Sequence, residues 1–189
     1  MKRIKKIKET KLETETLTPK PEQKCFIYLG MHRTGSSLIA KGLNSVIDMG
    51  IEDLNKNEGN PEGYYENWVF TKINDMVLIA AGGSWDNPPS DEAIMEVGKS
   101  QDVQVAMRTA VEKYSDGRIL WGFKDPRTTL TIKLWLPHIK NPHFVCCTRE
   151  PEKVAWSLNK RDGTPFDKCL SLCQIYNRRM VKFLVEQYL

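Results

Sequence analysis

Gly30 and Gly35 bracket four residues, Met31-His32-Arg33-Thr34, and the pair Ser36-Ser37 follows. Glycines at this spacing let successive backbone N–H groups close on an anion, and hydroxyls and a guanidinium add further bonds to it. The spacing Gly30-x4-Gly35 is that of a Walker A loop, but Ser36 stands where the lysine belongs and the basic residue sits earlier, at Arg33. That displacement argues against an ordinary ATPase or kinase and toward a different group-transfer chemistry. Two more polar clusters lie downstream, Lys124-Asp125-Pro126-Arg127 and the pair Arg149 and Ser157, eight residues apart. A guanidinium fork matches phosphate geometry and is always charged.

The elements that must position these residues alternate along the chain. A β-type run from Cys25 to Leu29 leads into the first loop, and an amphipathic helix follows it, with Leu38, Ile39, Leu43, Val46 and Ile47 apolar and a close near Gly50. Residues 55–63 read as an exposed turn-rich loop. Helical spacing of Trp68, Val69, Ile73, Met76, Val77 and Ala80 predicts a helix over 64–81, which Gly82, Gly83, Pro88 and Pro89 break. A second long helix is predicted over 90–114, capped by Ser90 and ended near Gly117. Strands are predicted at 119–123 and 143–148, with helices at 128–136, from Pro151 to Lys160, and at 167–189. Strands separated by helices, apolar without alternation, indicate an α/β fold whose central, mostly parallel sheet is flanked by helices on both faces. In such a sheet the three polar clusters all follow the carboxyl ends of strands, the edge that carries the ligand crevice.

Composition narrows the class. The first 24 residues hold 8 of the 28 Lys and Arg and 4 of the 24 Asp and Glu, which leaves 20 of each in residues 25–189. The body is therefore neutral, and the basic character belongs to a leader over 1–24 whose composition predicts disorder. Residues 25–189 read as a single domain. No apolar h-region marks a secretory signal and no apolar run reaches about 20 residues, so a cytoplasmic protein is expected, with no membrane and no nucleic acid among its partners. The five cysteines form no C-x-x-C; Cys25, Cys146 and Cys147 are expected in core strands, and Cys169 and Cys173 share a helix face without a neighbouring His.

In order and spacing these signatures resemble the sulfotransferases that use 3′-phosphoadenosine-5′-phosphosulfate (PAPS), over about residues 25–160. The loop at 30–37 is similar to that family's 5′-phosphosulfate loop, in the variants with Arg in place of Lys. Lys124-Asp125-Pro126 is similar to the Lys-Asp-Pro of tyrosylprotein and many bacterial carbohydrate sulfotransferases, and Arg149 with Ser157 to the 3′-phosphate motif. The resemblance implies a P-loop NTPase-like three-layer fold, PAPS as cosubstrate, PAP as product and no metal. It implies nucleotide contacts from Gly30, His32, Arg33, Thr34, Gly35, Ser36 and Ser37 at one end and from Arg149 and Ser157 at the other.

Sulfuryl transfer is an in-line displacement, so catalysis rests on positioning and electrostatics. Lys124, with Arg33, is the candidate for stabilising charge on the leaving oxygen. The acceptor, a carbohydrate, a peptide tyrosine or a small hydroxylated metabolite, also needs a general base. Glu66 is favoured, because it begins a predicted helix and follows Tyr64-Tyr65, an aromatic pair able to wall the acceptor pocket; Glu62 is second, and Glu58 lies in the same stretch. Arg127 either enters the crevice or pairs with a surface acid, and Asp125 orients Lys124 or a neighbouring amide. Two other classes stay open: a P-loop kinase or NTPase with Asp125 as metal ligand, and a nucleotide-binding module without catalysis.

Overall fold

The computed structural model describes residues 22–51, residue 56 and residues 63–189. Glu58, Glu62 and the first 21 residues lie outside them, as does most of the expected loop at 55–63. The fold is α/β, built on a small open sheet of three parallel strands flanked by helices. Strand β1 (Lys24–Leu29) lies in the centre, between β2 (Leu120–Phe123) and β3 (Pro142–Cys146). The register sets Ile27 beside Phe123 on one side and beside Phe144 on the other.

Between the strands run α1 (Ser36–Leu43), α2 (Trp68–Ala80), α3 (Asp91–Val97), α4 (Gln101–Ser115) and α5 (Thr128–Trp135). After β3 come α6 (Pro151–Asp162) and the long α7 (Phe166–Tyr188), packed on each other. Period-2 alternation turns Cys25, Ile27 and Leu29 into the main core. An aromatic cluster fills it: Phe70 of α2 stacks on Phe123 with ring centres 4.0 Å apart and meets Trp135 of α5 at 4.9 Å.

Four expectations need correction. The first helix ends at Leu43 rather than near Gly50. Ser45 turns its hydroxyl onto the Gly42 carbonyl, and residues 48–50 run beside β2, where the Asp48 carbonyl accepts from Gly122 N–H at 2.9 Å. Leu38 is 75% and Val46 71% exposed, so neither belongs to a buried face. The segment 90–114 is two helices, because buried Gly98 sits against Leu134: a Cβ there would fall 2.3 Å from Leu134 Cδ2, and the chain turns at Lys99 and Ser100. Ser90 does cap α3, accepting from Ala93 N–H. The helix expected from residue 64 starts at Trp68, with Asn67 as its cap. Finally, Cys146 is exposed and Cys147 half-buried, because among the described residues β3 is an edge strand paired with β1 alone, whereas Cys25, Cys169 and Cys173 are buried.

Candidate active site

Parallel strands deliver their carboxyl ends to one edge, so the loops after β1, β2 and β3 meet there. The loop after β1 is held from below. Gly30 N–H donates to Thr129 Oγ1 at 2.8 Å, and a Cβ on Gly30 would lie 2.5 Å from the Cys147 carbonyl oxygen, so only glycine fits between β1 and the end of β3. Thr34 is buried and ties the loop down, with its hydroxyl donating to the Met31 carbonyl and 2.6 Å from Tyr28 Oη. Arg33 has φ +68°, a left-handed conformation that costs a non-glycine residue of order 1–3 kcal/mol. Gly35, at φ +93°, turns the chain into α1, whose first residues are Ser36 and Ser37.

These loops enclose a cleft of about 300 Å³. The first loop contributes His32, Arg33, Gly35, Ser36 and Ser37; α1 adds Leu38 and Lys41; the segment before α2 adds Tyr64, Tyr65 and Glu66. Lys124 closes the floor, and Arg149 and Arg161 face it from the β3 side. Among the described residues, five cationic side chains thus face one carboxylate, in a chain whose residues 25–189 hold equal numbers of acidic and basic side chains. Such a concentration of one sign draws anions in.

Lys124 and Glu66 are the deepest charged groups. Lys124 Nζ donates to Glu66 Oε1 at 2.7 Å and to the Tyr64 carbonyl at 3.0 Å, with its side chain 1% exposed. Burial pushes the Glu66 carboxyl above the usual carboxylate range, and the Lys124 charge pulls it partly back. Glu66 belongs to an extended stretch two residues before α2, not to the helix itself; Tyr65 beside it is left-handed at φ +54°.

Arg127 does not enter the cleft. It pairs with Asp125 at 2.8 Å and Asp75 at 2.6 Å, and stands 3.8 Å from Glu66. Asp125 is fully buried and holds Arg127 and its amide rather than Lys124, and its other oxygen accepts from Asn74 Nδ2 at 2.8 Å. Asn74 also accepts from Thr131 and from the Trp135 indole, so this network anchors the floor of the cleft in the core.

The β3 side is joined directly to the first loop. Arg33 Nε donates to Ser157 Oγ at 2.9 Å, and Arg149 Nη1 donates to the Arg33 carbonyl at 3.1 Å. Of the residues expected to hold a nucleotide, His32, Arg33, Gly35, Ser36, Ser37 and Arg149 line the cleft. Gly30 and Thr34 support the loop from beneath, and Ser157 meets the cleft through Arg33. His32 is buried, with its ring centre 4.6 Å from that of Trp85 and, among the described residues, no hydrogen-bond partner on Nε2. Burial first, and then the charges of Arg127, Lys124, Arg161 and Arg33, hold its imidazole well below the ordinary histidine range.

Sequence reasoning missed Lys41 and Arg161. Each stands four residues after a residue that it did select, Ser37 and Ser157, and that spacing stacks two side chains on one helix face. Among the described residues no three His, Cys, Asp or Glu side chains gather as a metal site, and no helix is long and apolar enough to cross a membrane. Comparison with protein-family models gave no match, and none was found among the curated proteins or the solved structures.

Proposed function

We infer that this protein is a sulfotransferase that passes the sulfuryl group of PAPS to a hydroxyl or amine acceptor. The observation that carries this reading is the direct contact between the two anion-binding signatures, Arg33 Nε on Ser157 Oγ at 2.9 Å, beside a cleft floored by Lys124. A nucleotide with a phosphosulfate at one end and a 3′-phosphate at the other needs two such pockets within one molecule's length. The backbone amides after Gly30, with Ser36 and Ser37, suit the first, and Arg149 with Ser157 suits the second.

The reaction is a displacement at sulfur. The acceptor oxygen forms a bond to sulfur while the bond from sulfur to the oxygen bridging to the 5′-phosphate breaks, and that oxygen keeps the electron pair. Lys124 steadies the charge growing there, and Glu66 takes the acceptor's proton. The raised affinity of Glu66 for protons suits a base, and its ion pair with Lys124 brings both groups to one point. A kinase or NTPase would need Asp125 for a metal, yet that carboxylate is enclosed by Arg127 and Asn74.

Calorimetric titration with PAP, ADP and 5′-AMP at one salt concentration tests this. A hydrogen-bonded contact to a charged phosphate contributes about 1.5–3 kcal/mol, so PAP should bind about ten- to hundredfold tighter than ADP. Arg149→Ala should erase that preference. Equal or tighter binding of ADP would sink the reading and bring the NTPase class forward, where magnesium-dependent ATP hydrolysis decides.

A further inference from the structure

Lys124, which the reaction needs at the leaving oxygen, is engaged by the protein's own groups. Its Nζ donates to the Tyr64 carbonyl and to Glu66 Oε1. The same Tyr64 carbonyl also accepts from Ser37 Oγ at 3.3 Å. One short stretch, from Tyr64 to Glu66, therefore holds a group from each part of the anion site, the serine of the first loop and the lysine of the floor. Tyr65, between the two contacts, is left-handed at φ +54°, a region that a non-glycine residue enters only under strain. The stretch ends at the Asn67 cap of α2, so it can shift without unwinding a helix.

Each of these contacts has a second partner within reach. A phosphate on the loop offers Ser37 and Lys124 charged oxygens in place of a neutral carbonyl, and bonds to a charged oxygen are the stronger. On the other side, Glu66 Oε2 is 3.8 Å from Arg127 Nη1. Arg127 is anchored by Asp125 and Asp75, so it is a fixed cation able to take the carboxylate when the lysine leaves. We propose that an anion seated on the first loop draws Lys124 and Ser37 away from this stretch, that Glu66 passes to Arg127, and that Oε1 is thereby freed for the acceptor's proton. Arg127 is then the positioning residue of the base, and the nucleotide binds before the acceptor. The proposal rests on the nucleotide reading for the identity of that anion. The exchange also has a proton signature. Burial raises the proton affinity of Glu66, Lys124 and Arg127 lower it, Asp125 raises it, and Arg161 of α6 faces it as well. Withdrawal of Lys124, the cation with the largest effect, lets that affinity rise, so binding should take up a proton.

The test is calorimetric titration of the full chain with PAP in two buffers of different ionisation enthalpy, over about pH 5 to 8, which counts protons taken up per ligand bound. A tenfold rise in proton affinity gives at most about half a proton. Wild-type protein should show that uptake and Glu66→Gln should lack it. Glu66→Gln should also bind PAP about tenfold tighter at the alkaline end, a gain that shrinks toward acid as wild-type Glu66 protonates. Lys124→Met separates exchange from a simple field effect. With the lysine already gone, uptake should fall below about half of the wild-type value, whereas a lysine that stayed on Glu66 throughout would leave it unchanged or larger on removal. Adenosine 3′-phosphate, which lacks the group that reaches the loop, should give no uptake, and it makes the same distinction if Lys124→Met does not fold. Equal uptake in wild type and Glu66→Gln, undiminished uptake in Lys124→Met, or equal uptake with adenosine 3′-phosphate overturns the proposal. Failure of PAP to bind the wild-type protein instead overturns the nucleotide reading. Inorganic pyrophosphate, which needs only the loop, then decides the exchange in the same three proteins, and its failure to bind overturns the exchange too.

Discussion

Breaking the Lys124–Glu66 pair one side at a time should cost unequal amounts of stability, and the inequality follows from the neighbours. At 2.7 Å and an effective dielectric of about 20, two unit charges attract by about 6 kcal/mol before desolvation is counted. Burying each ion costs several kcal/mol, so the intact pair contributes little net, while removal of one partner typically costs about 3–5 kcal/mol. Among the described residues, Lys124 without Glu66 retains only the Tyr64 carbonyl as a hydrogen-bond partner, so Glu66→Leu should cost the full amount. Glu66 without Lys124 still has Arg127 at 3.8 Å, so Lys124→Met should cost about 1–2 kcal/mol less. The double variant, with two apolar chains of similar volume, should return to within about 1 kcal/mol of wild type. Urea unfolding of all four proteins, with the m-value checked for constancy, gives the cycle. Single losses below about 1 kcal/mol each, or a double loss equal to the sum of the singles, would refute the description of a buried, coupled pair.

Further outcomes follow from the same site. His32 stays neutral in the folded protein, whereas in the unfolded chain it takes up a proton below about pH 6.5. Acid therefore favours the unfolded state: stability is complete above that pH and should fall by about 1.3 kcal/mol between pH 7 and 5.5 through this group alone. Comparing wild type with His32→Gln by denaturation at both pH values isolates it, and equal pH slopes would disprove the assignment. Asn74→Ala removes partners from Asp125, Thr128, Thr131 and Trp135 together and should cost about 3 kcal/mol or more, read from the thermal or urea midpoint. Gly122→Ala would set a Cβ 2.3 Å from the Phe26 carbonyl oxygen inside the sheet and should cost about 1–3 kcal/mol; an unchanged midpoint would mean that β1 and β2 separate more easily than their register implies.

What could be read from the sequence was the part governed by local rules. The three strands, the start of α6 at Pro151 and the cap at Ser90 follow from apolar runs and terminal residues, and they appear within a few positions of where those rules put them. The meeting of loop 30–37, Lys124 and Arg149 at one edge also followed, because it needs only that the strands be parallel. The misses are tertiary. Nothing local distinguishes Gly98 from an ordinary helical glycine until Leu134 arrives against it, and nothing local makes β3 an edge. Arg161 reads as a routine basic residue in a last helical turn until Trp85, 76 positions earlier, lies beneath it. Glu66 was selected for the start of a helix that in fact begins two residues later, and its place against Lys124 comes from a hydrogen bond 58 residues away in the chain.

The contact between Arg33 and Ser157 also spans 124 positions, and the cleft draws its walls from four stretches that have no contact until the sheet has formed. Any ligand seated there binds the assembled chain and not its parts. It acts as a removable cross-link, closing a loop of more than a hundred residues, and raises the unfolding free energy by RT ln(1 + [L]/Kd) without touching the hydrophobic core. Occupancy should thus protect amides in β1, β2 and α6 by the same increment, so that slow hydrogen exchange far from the cleft becomes a thermometer of what sits inside it.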